Sequence, residues 1–224
     1  MKAAIVGYGP AGNVAAVGLY KQGWKITVYE KQPNPYEMDF NTLKDRSYPL
    51  VFNSKGAKVL VRAGILPYFE KMKHCNRFNR VVYSQGQTEQ KGEPKGFHGS
   101  WNGIMKTMLD SFHDLCPDAE IKFNTEVLDI QIQEGILKTA SEETQFDLIL
   151  GCDGVGSKVR SCGEAQNTDL KVYDYDTKRR AKSLWIHSGE EDRFEDALYI
   201  FSMNPPLLAT YSRDHNNEYL ISTV

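Results

Sequence analysis

The chain opens on two short apolar runs separated by a glycine turn and a small-residue segment. Residues 3–6 (Ala-Ala-Ile-Val) form the first run. It breaks at Gly7-Tyr8-Gly9-Pro10-Ala11-Gly12, and an Ala-rich stretch follows over residues 13–20. Gly23 closes that stretch. Residues 26–29 (Ile-Thr-Val-Tyr) then form a β-branched run that ends at Glu30. The pattern predicts strand, turn, helix and strand, with an acid at the end of the second strand. Pro33 and Pro35 enforce a loop after it.

Further along, Pro49 marks residues 45–52 as an irregular or edge segment. Asn53 or Ser54 is placed to cap a helix over 55–63, and Gly64 to close it in a left-handed turn. Residues 78–84 read as a strand and 85–99 as a polar, glycine-rich hairpin or loop. Ile104, Met105, Met108, Leu109, Phe112 and Leu115 share one helical face, so 101–115 is predicted helical, with Cys116-Pro117-Asp118 as its stop. Strands are expected over 120–124, 126–133 and 136–139. Residues 146–150 form a continuous apolar run of the kind buried in a parallel sheet. A second glycine turn follows directly, Gly151-Cys152-Asp153-Gly154-Val155-Gly156. Beyond residue 169, short runs at 184–186, 198–202, 207–211 and 219–224 are divided by polar turns and predict a second, antiparallel layer.

The first turn carries chemistry because of where its glycines fall. Gly7 permits a tight exit from the strand, Gly9 lets backbone approach a pyrophosphate, and Gly12 lets the helix pack close to the strand. Pro10 sits in the first helical turn, where its missing N–H costs nothing. The helix start offers free N–H groups and a positive dipole end to a phosphate. Glu30 stands where a carboxylate accepts hydrogen bonds from an adenosine ribose, which favours FAD or NAD over NADP in this unit. The second turn ends a parallel strand, where open α/β sheets bind ligands, and Asp153 there can bond a ribityl or ribose hydroxyl.

Composition narrows the picture. The 224 residues are 41% hydrophobic and 25% charged, within the soluble globular range. A net charge of −2 gives no basis for a nucleic-acid partner. No apolar run is long enough for a membrane span. Lys21 and Lys25 interrupt the N-terminal apolar stretch, which argues against a signal peptide. The four cysteines lack CxxC or metal-ligand spacing and suit reduced thiols in a cytoplasmic protein. The five histidines show no ligand or triad spacing either, so no metal site and no side-chain nucleophile is expected.

GYGPAG, Glu30, the stretch DRSYPLVFNSKGAKVLVRAGI and LILGCDGVGSKVR together resemble the single-component FAD-dependent aromatic monooxygenases of the p-hydroxybenzoate hydroxylase type. The Arg46-Ser47 loop and the GCDG form of the second turn are most similar to the kynurenine-hydroxylating branch. The resemblance implies an α/β (α+β overall) fold, with a Rossmann-like FAD-binding βαβ domain and a mostly antiparallel β-sheet substrate layer. The FAD-binding domain is expected at 1–75 and 100–165, and the partial substrate layer at 76–99 and 166–224. It further implies that NAD(P)H reduces FAD and that O₂ then hydroxylates a small aromatic substrate.

Site roles follow from the resemblance residue by residue. Gly7, Gly9, Ala11 and Gly12 would hold the FAD pyrophosphate, and Glu30 with Lys31 the adenosine. Arg46 and Val51 would lie near the flavin, and Val127 would meet the adenine side through its backbone. Asp153 and Gly154 would link FAD binding to NAD(P)H use. Arg80 would pair with a substrate carboxylate. Two departures stand against this. Trp101 occupies a helix start where the family usually has Arg, and Trp supplies neither charge nor a guanidinium fork. The family's third motif, a downstream Gly-Asp segment, does not occur before Val224. The expectation is therefore an N-terminal portion of such an enzyme. The alternatives are a non-catalytic or truncated FAD/nucleotide-binding module needing a partner chain, or a flavin-dependent reductase. An open β-edge near residue 224 would also favour self-association or a complementing chain.

Overall fold

The computed structural model describes residues 1–38, 49–71, 75–84, 90–167, 169–175, 182–187, 198–203, 207–213 and 218–223. They divide into two compact units. One comprises residues 1–38 and 108–175, the other 39–107 and 176–224.

The first unit is built on a four-stranded, all-parallel sheet. Strands β1 (Lys2–Val6) and β2 (Lys25–Tyr29) flank helix α1 (Pro10–Tyr20) in sequence. The sheet order is β10-β1-β2-β6, with β6 at Glu120–Lys122 and β10 at Leu148–Gly151. Ile5 lies between Val28 and Leu150. Ala3, Ala4, Ile5 and Val6 are all buried, which is why the first run is apolar on both faces.

A smaller antiparallel sheet, β7 (Asp129–Gln131), β8 (Ile136–Lys138) and β9 (Glu143–Gln145), adds its own apolar side. Ala4, Val6, Tyr29, Val127, Ile130, Leu137, Phe146 and Cys162 form one buried cluster. Each large aliphatic side chain in such a cluster stabilises the fold by roughly 1.5–3 kcal/mol. Helix α5 (Lys158–Gln166) follows the second glycine turn.

Two glycines set how closely this unit packs. Gly7 has φ +93°, and a Cβ on it would lie 2.5 Å from the Cys152 carbonyl oxygen. A Cβ on Gly12 would lie 2.0 Å from the Gly7 carbonyl oxygen. Both obstacles are backbone, so neither can move aside. The strand ends are locked by Gly7 N–H donating to Tyr29 O (2.8 Å) and Cys152 N–H donating to Val6 O (2.7 Å).

The second unit holds a seven-stranded sheet in the order β11-β14-β13-β12-β4-β5-β3. Its strands are β3 (Pro49–Phe52), β4 (Cys75–Ser84), β5 (Gln90–Ser100), β11 (Lys182–His187), β12 (Leu198–Met203), β13 (Leu207–Arg213) and β14 (Glu218–Thr223). All neighbours are antiparallel except β12 with β4. Pro49 starts an edge strand, where a missing N–H is tolerated. Asn53 caps α2 (Ser54–Ala63) by accepting from the Lys55 and Gly56 amides, and Gly64 ends it at φ +74°. Phe69, on the short helix α3 (Leu66–Lys71), packs with ring centroids 5.6 Å from both Phe52 and Phe97. Helix α4 (Trp101–Leu115), whose residues from Met108 on belong to the first unit, buries Ile104, Met105, Met108, Leu109 and Phe112 along its length.

Of the hairpin or loop expected over 85–99, the hairpin is found: residues 90–100 form a strand paired antiparallel to both β4 and β3, which overrides their low β propensity. The strand expected over 126–133 shrinks to Asp129–Gln131, since its partner β8 is only three residues long. Helix α3 and strand β9 carry too little periodicity to be read from sequence.

Gly12→Ala is expected to lower the thermal midpoint by many degrees or prevent folding, because its Cβ meets immovable backbone. Gly18→Ala, whose Cβ would meet nothing within 4 Å, is expected to stabilise by about 0.5–1 kcal/mol. Paired thermal melts check both.

Candidate functional site

Helix α1 begins without a side-chain cap. Its N-cap is Gly9, in extended backbone (φ −65°, ψ 179°), and its first turn contains no acid. The first helical hydrogen bond runs from Asn13 N–H to Gly9 O (3.0 Å). Ala11 is exposed and Gly9 half-buried, so the amides at this end can be approached. Uncapped amides and a positive dipole end make an anion site.

Glu30 stands at the end of β2, half-buried. Its Oε2 accepts the Tyr8 N–H (2.7 Å) and its Oε1 accepts the Gln32 N–H (2.8 Å). The carboxylate therefore ties the glycine turn to the strand end. Each oxygen keeps a lone pair for a further donor such as a ribose hydroxyl.

Beneath the turn lies a buried polar cluster that sequence reasoning missed. Tyr8 OH donates to Met108 O (3.1 Å), and Asn13 Nδ2 donates to both Tyr8 Oη and Met108 O (2.8 Å each). Ser111 Oγ adds a third donor to the same carbonyl (2.7 Å). The Tyr8 ring packs edge-on against Phe112 and Phe123, and burial raises its phenol well above the ordinary range. Asn13 Oδ1 is buried without a partner. The signal was present in the sequence, as a Tyr and an Asn on either side of the helix start.

The second turn is shaped from within. Asp153 Oδ1 accepts the Ser157 hydroxyl (2.6 Å), and its Oδ2 accepts the Lys158 and Val159 amides (2.6 and 3.3 Å). Ser157 in turn caps α5 at the Arg160 amide, and Arg160 Nη2 donates to Val155 O (2.5 Å). Asp153 thus acts first as a helix-capping residue, and Gly154 follows it in left-handed backbone (φ +76°).

The remaining sequence-derived candidates are spread over the two units. Lys31 is exposed beside Glu30. Val127 is buried in the first unit's core. Val51 lies in β3 opposite His98. Arg80 lies in β4 opposite Lys91, next to a register shift. Arg46 falls outside the described residues. Among the described residues no group of His, Cys, Asp and Glu is arranged to hold a metal ion, and no helix is long and apolar enough to cross a membrane. The described cysteines Cys116, Cys152 and Cys162 are free, and burial pushes the Cys116 thiol up to about 11, away from nucleophilic use.

A further group stands behind Glu30. Lys122 Nζ donates to Glu142 Oε1 (2.5 Å), Tyr29 OH donates to the same oxygen (3.0 Å), and Lys122 lies over the Tyr29 ring. The Lys122 hydrogen bond, followed by that from Tyr29, holds the Glu142 carboxyl below its usual range against the opposing effect of burial.

The donors present fit an adenine dinucleotide. Uncapped amides meet a diphosphate, and a carboxylate with spare acceptors meets a ribose. A family model described as an FAD binding domain matches residues 1–221. Kynurenine 3-monooxygenase of Christiangramia forsetii is 32% identical over 172 residues, covering 70% of this chain and 36% of that protein. The chain thus spans little more than a third of this relative. A tetrameric form of 2-methyl-3-hydroxypyridine-5-carboxylic acid oxygenase superposes over 99% of this chain and 58% of its own, with a TM-score of 0.71 and 21% identity. PqsL of P. aeruginosa in complex with 2-aminobenzoylacetate does so over 100% and 60%, with a TM-score of 0.74 and 14% identity. At these identities the two solved structures establish a shared fold.

Asn13→Asp is expected to destabilise more than Asn13→Ala, since it sets a buried carboxylate against the Met108 carbonyl. The alanine variant should cost about 1–3 kcal/mol, read by urea unfolding. The Glu142 contribution has the sign of a depressed acid. It is present above the unfolded carboxylate range and is lost as pH falls through the folded value. The stability gap between the unmodified chain and Glu142→Gln is therefore expected at neutral pH and should close on acidification. A gap that persists in acid contradicts this.

Proposed function

Because the chain belongs to the FAD binding domain family, we propose that it serves an FAD-dependent, NAD(P)H-using monooxygenase that hydroxylates a small aromatic substrate, kynurenine-like in character. The observation that carries this reading is the uncapped α1 terminus beside the doubly tethered Glu30. When bound, FAD supplies the redox step, taking hydride from NAD(P)H and activating O₂. One oxygen atom enters the ring and the other leaves as water, with the NAD(P)H hydride supplying the two electrons and a proton completing the water.

The protein's own contribution is binding and placement. Gly7, Gly9, Ala11 and Gly12 receive the pyrophosphate, with Glu30 and Lys31 at the adenosine and the Val127 backbone on the adenine side. Arg46 and Val51 are the candidates for positions near the flavin. Asp153, by capping α5, keeps the second turn in shape, and Gly154 gives it a left-handed link. Arg80 is the candidate for a substrate carboxylate, because a guanidinium fork pairs with it in two parallel hydrogen bonds. The seven-stranded sheet is the substrate layer in this reading.

Kynurenine 3-monooxygenase among the relatives supports an aromatic amino acid as substrate. It also favours hydroxylation over the non-catalytic module and the reductase. The tetrameric oxygenase neighbour supports self-association, and free thiols at Cys116, Cys152 and Cys162 support a cytoplasmic setting.

The test is oxygen uptake by the FAD-loaded chain with NAD(P)H and kynurenine. A hydroxylated product formed in proportion to oxygen consumed is expected. Arg80→Lys should raise the KM for a carboxylate-bearing substrate about tenfold or more while leaving FAD affinity unchanged. Substrate reduction that proceeds equally without oxygen overturns the monooxygenase reading.

A further inference from the structure

The strand end that carries Glu30 is held from the side opposite the glycine turn, through backbone hydrogen bonds to the segment that follows β6. Glu30 N–H donates to Lys122 O (3.0 Å), Thr125 N–H donates to Glu30 O (2.9 Å), and Asn124 N–H donates to Gln32 O (3.1 Å). The segment 122–125 therefore binds the backbone on both sides of Glu30. It can do so because Asn124 takes left-handed backbone (φ +52°), an uncommon state for which Asn is among the better-suited side chains. Thr125 Oγ1 tightens the bend by donating to Phe123 O (2.9 Å).

This segment extends from β6, a three-residue strand that among the described residues pairs only to β2. So short a ladder frays readily unless something anchors its end. The anchor is Glu142. Its Oε1 receives both Lys122 Nζ and Tyr29 OH, joining the ends of β6 and β2 to the neighbouring three-stranded sheet. Glu142 is itself set in a turn by Thr139, whose Oγ1 accepts the Glu142 N–H (3.1 Å) and whose N–H donates to Glu142 O (2.9 Å).

We propose that Glu142 and Lys122 are positioning residues for the adenosine end of the cofactor: they hold segment 122–125, and through it Glu30, in the geometry that accepts the ribose. The proposal rests on FAD as the ligand of the glycine turn. Its signature is selectivity. Loosening the latch should weaken ligands that contain adenosine and leave a flavin phosphate without adenosine unaffected.

The test titrates the full chain with FAD, ADP and FMN, using Glu142→Gln, Lys122→Gln and the charge-swapped double variant Lys122→Glu/Glu142→Lys. Each single variant is expected to weaken FAD and ADP about fivefold, the scale of a half-exposed ion pair with an added hydrogen bond. FMN should be unchanged, and the swap should restore the part of the loss due to the ion pair but not the part due to the Tyr29 contacts. Amide exchange on the ligand-free chain supplies an independent reading. Glu30, Asn124 and Thr125 should exchange about fivefold faster in Glu142→Gln, with the amides of α4 unchanged. Unaltered FAD and ADP affinities, or an equal loss for FMN, overturn the proposal. An unmodified chain that binds no FAD refutes the cofactor reading instead, and the amide exchange then decides the positioning claim by itself: unaltered exchange overturns it.

Discussion

Everything in the nucleotide-binding unit depends on two stretches of backbone passing at a distance that no side chain could share. Gly7 leaves β1 in left-handed backbone, directly against the carbonyl of Cys152. Gly12 then brings α1 against Gly7 itself. These approaches set both glycine turns side by side at the ends of adjacent parallel strands, β1 and β10. The apolar runs on either side provide the driving force, since Ala3 to Val6 are buried on both faces. Packing supplies the energy here, and the glycines set the geometry in which it is used.

On that frame the electrostatics fall into place. A helix start without a cap leaves its amides to an outside anion, whereas α2 and α5 satisfy theirs with Asn53 and with Ser157 and Asp153. The contrast with α2 and α5 marks the α1 terminus as open to an anion. Glu30 then serves both structure and recognition, holding Tyr8 and Gln32 while keeping acceptors for a ribose. Under the turn, Tyr8, Asn13 and Ser111 converge on the Met108 carbonyl. A buried polar network of this kind is costly when broken and so fixes one arrangement of the loop.

Much of this was legible in the sequence, and unevenly so. The βαβ unit could be read because glycines, a terminal acid and apolar runs agree over thirty residues. The α2 caps could be read because Asn53 and Gly64 each have a local role. The sequence leaves strand β5 open between hairpin and loop because its own residues favour turns, and its pairing with β3, distant in sequence, has no local signal. The role of Asp153 as a cap is local, to Ser157 and the next two amides, but an acid in a glycine turn reads first as a ligand-binding group; the latch of Lys122 with Glu142 was hidden because its partners are distant in sequence. Twenty residues separate the partners of that ion pair, and only the fold brings them together. The family resemblance named Glu30 and the glycines, yet it carried no information on the residues that hold them in place.

The measurement that bears most directly on the account is a competition titration of the purified chain, with FAD displaced by ADP or by its 2′-phosphorylated counterpart. The account predicts that FAD binds, that ADP displaces it, and that the 2′-phosphate form competes far more weakly because it meets the Glu30 carboxylate. A chain that binds no FAD, or that accepts both competitors equally, would contradict it.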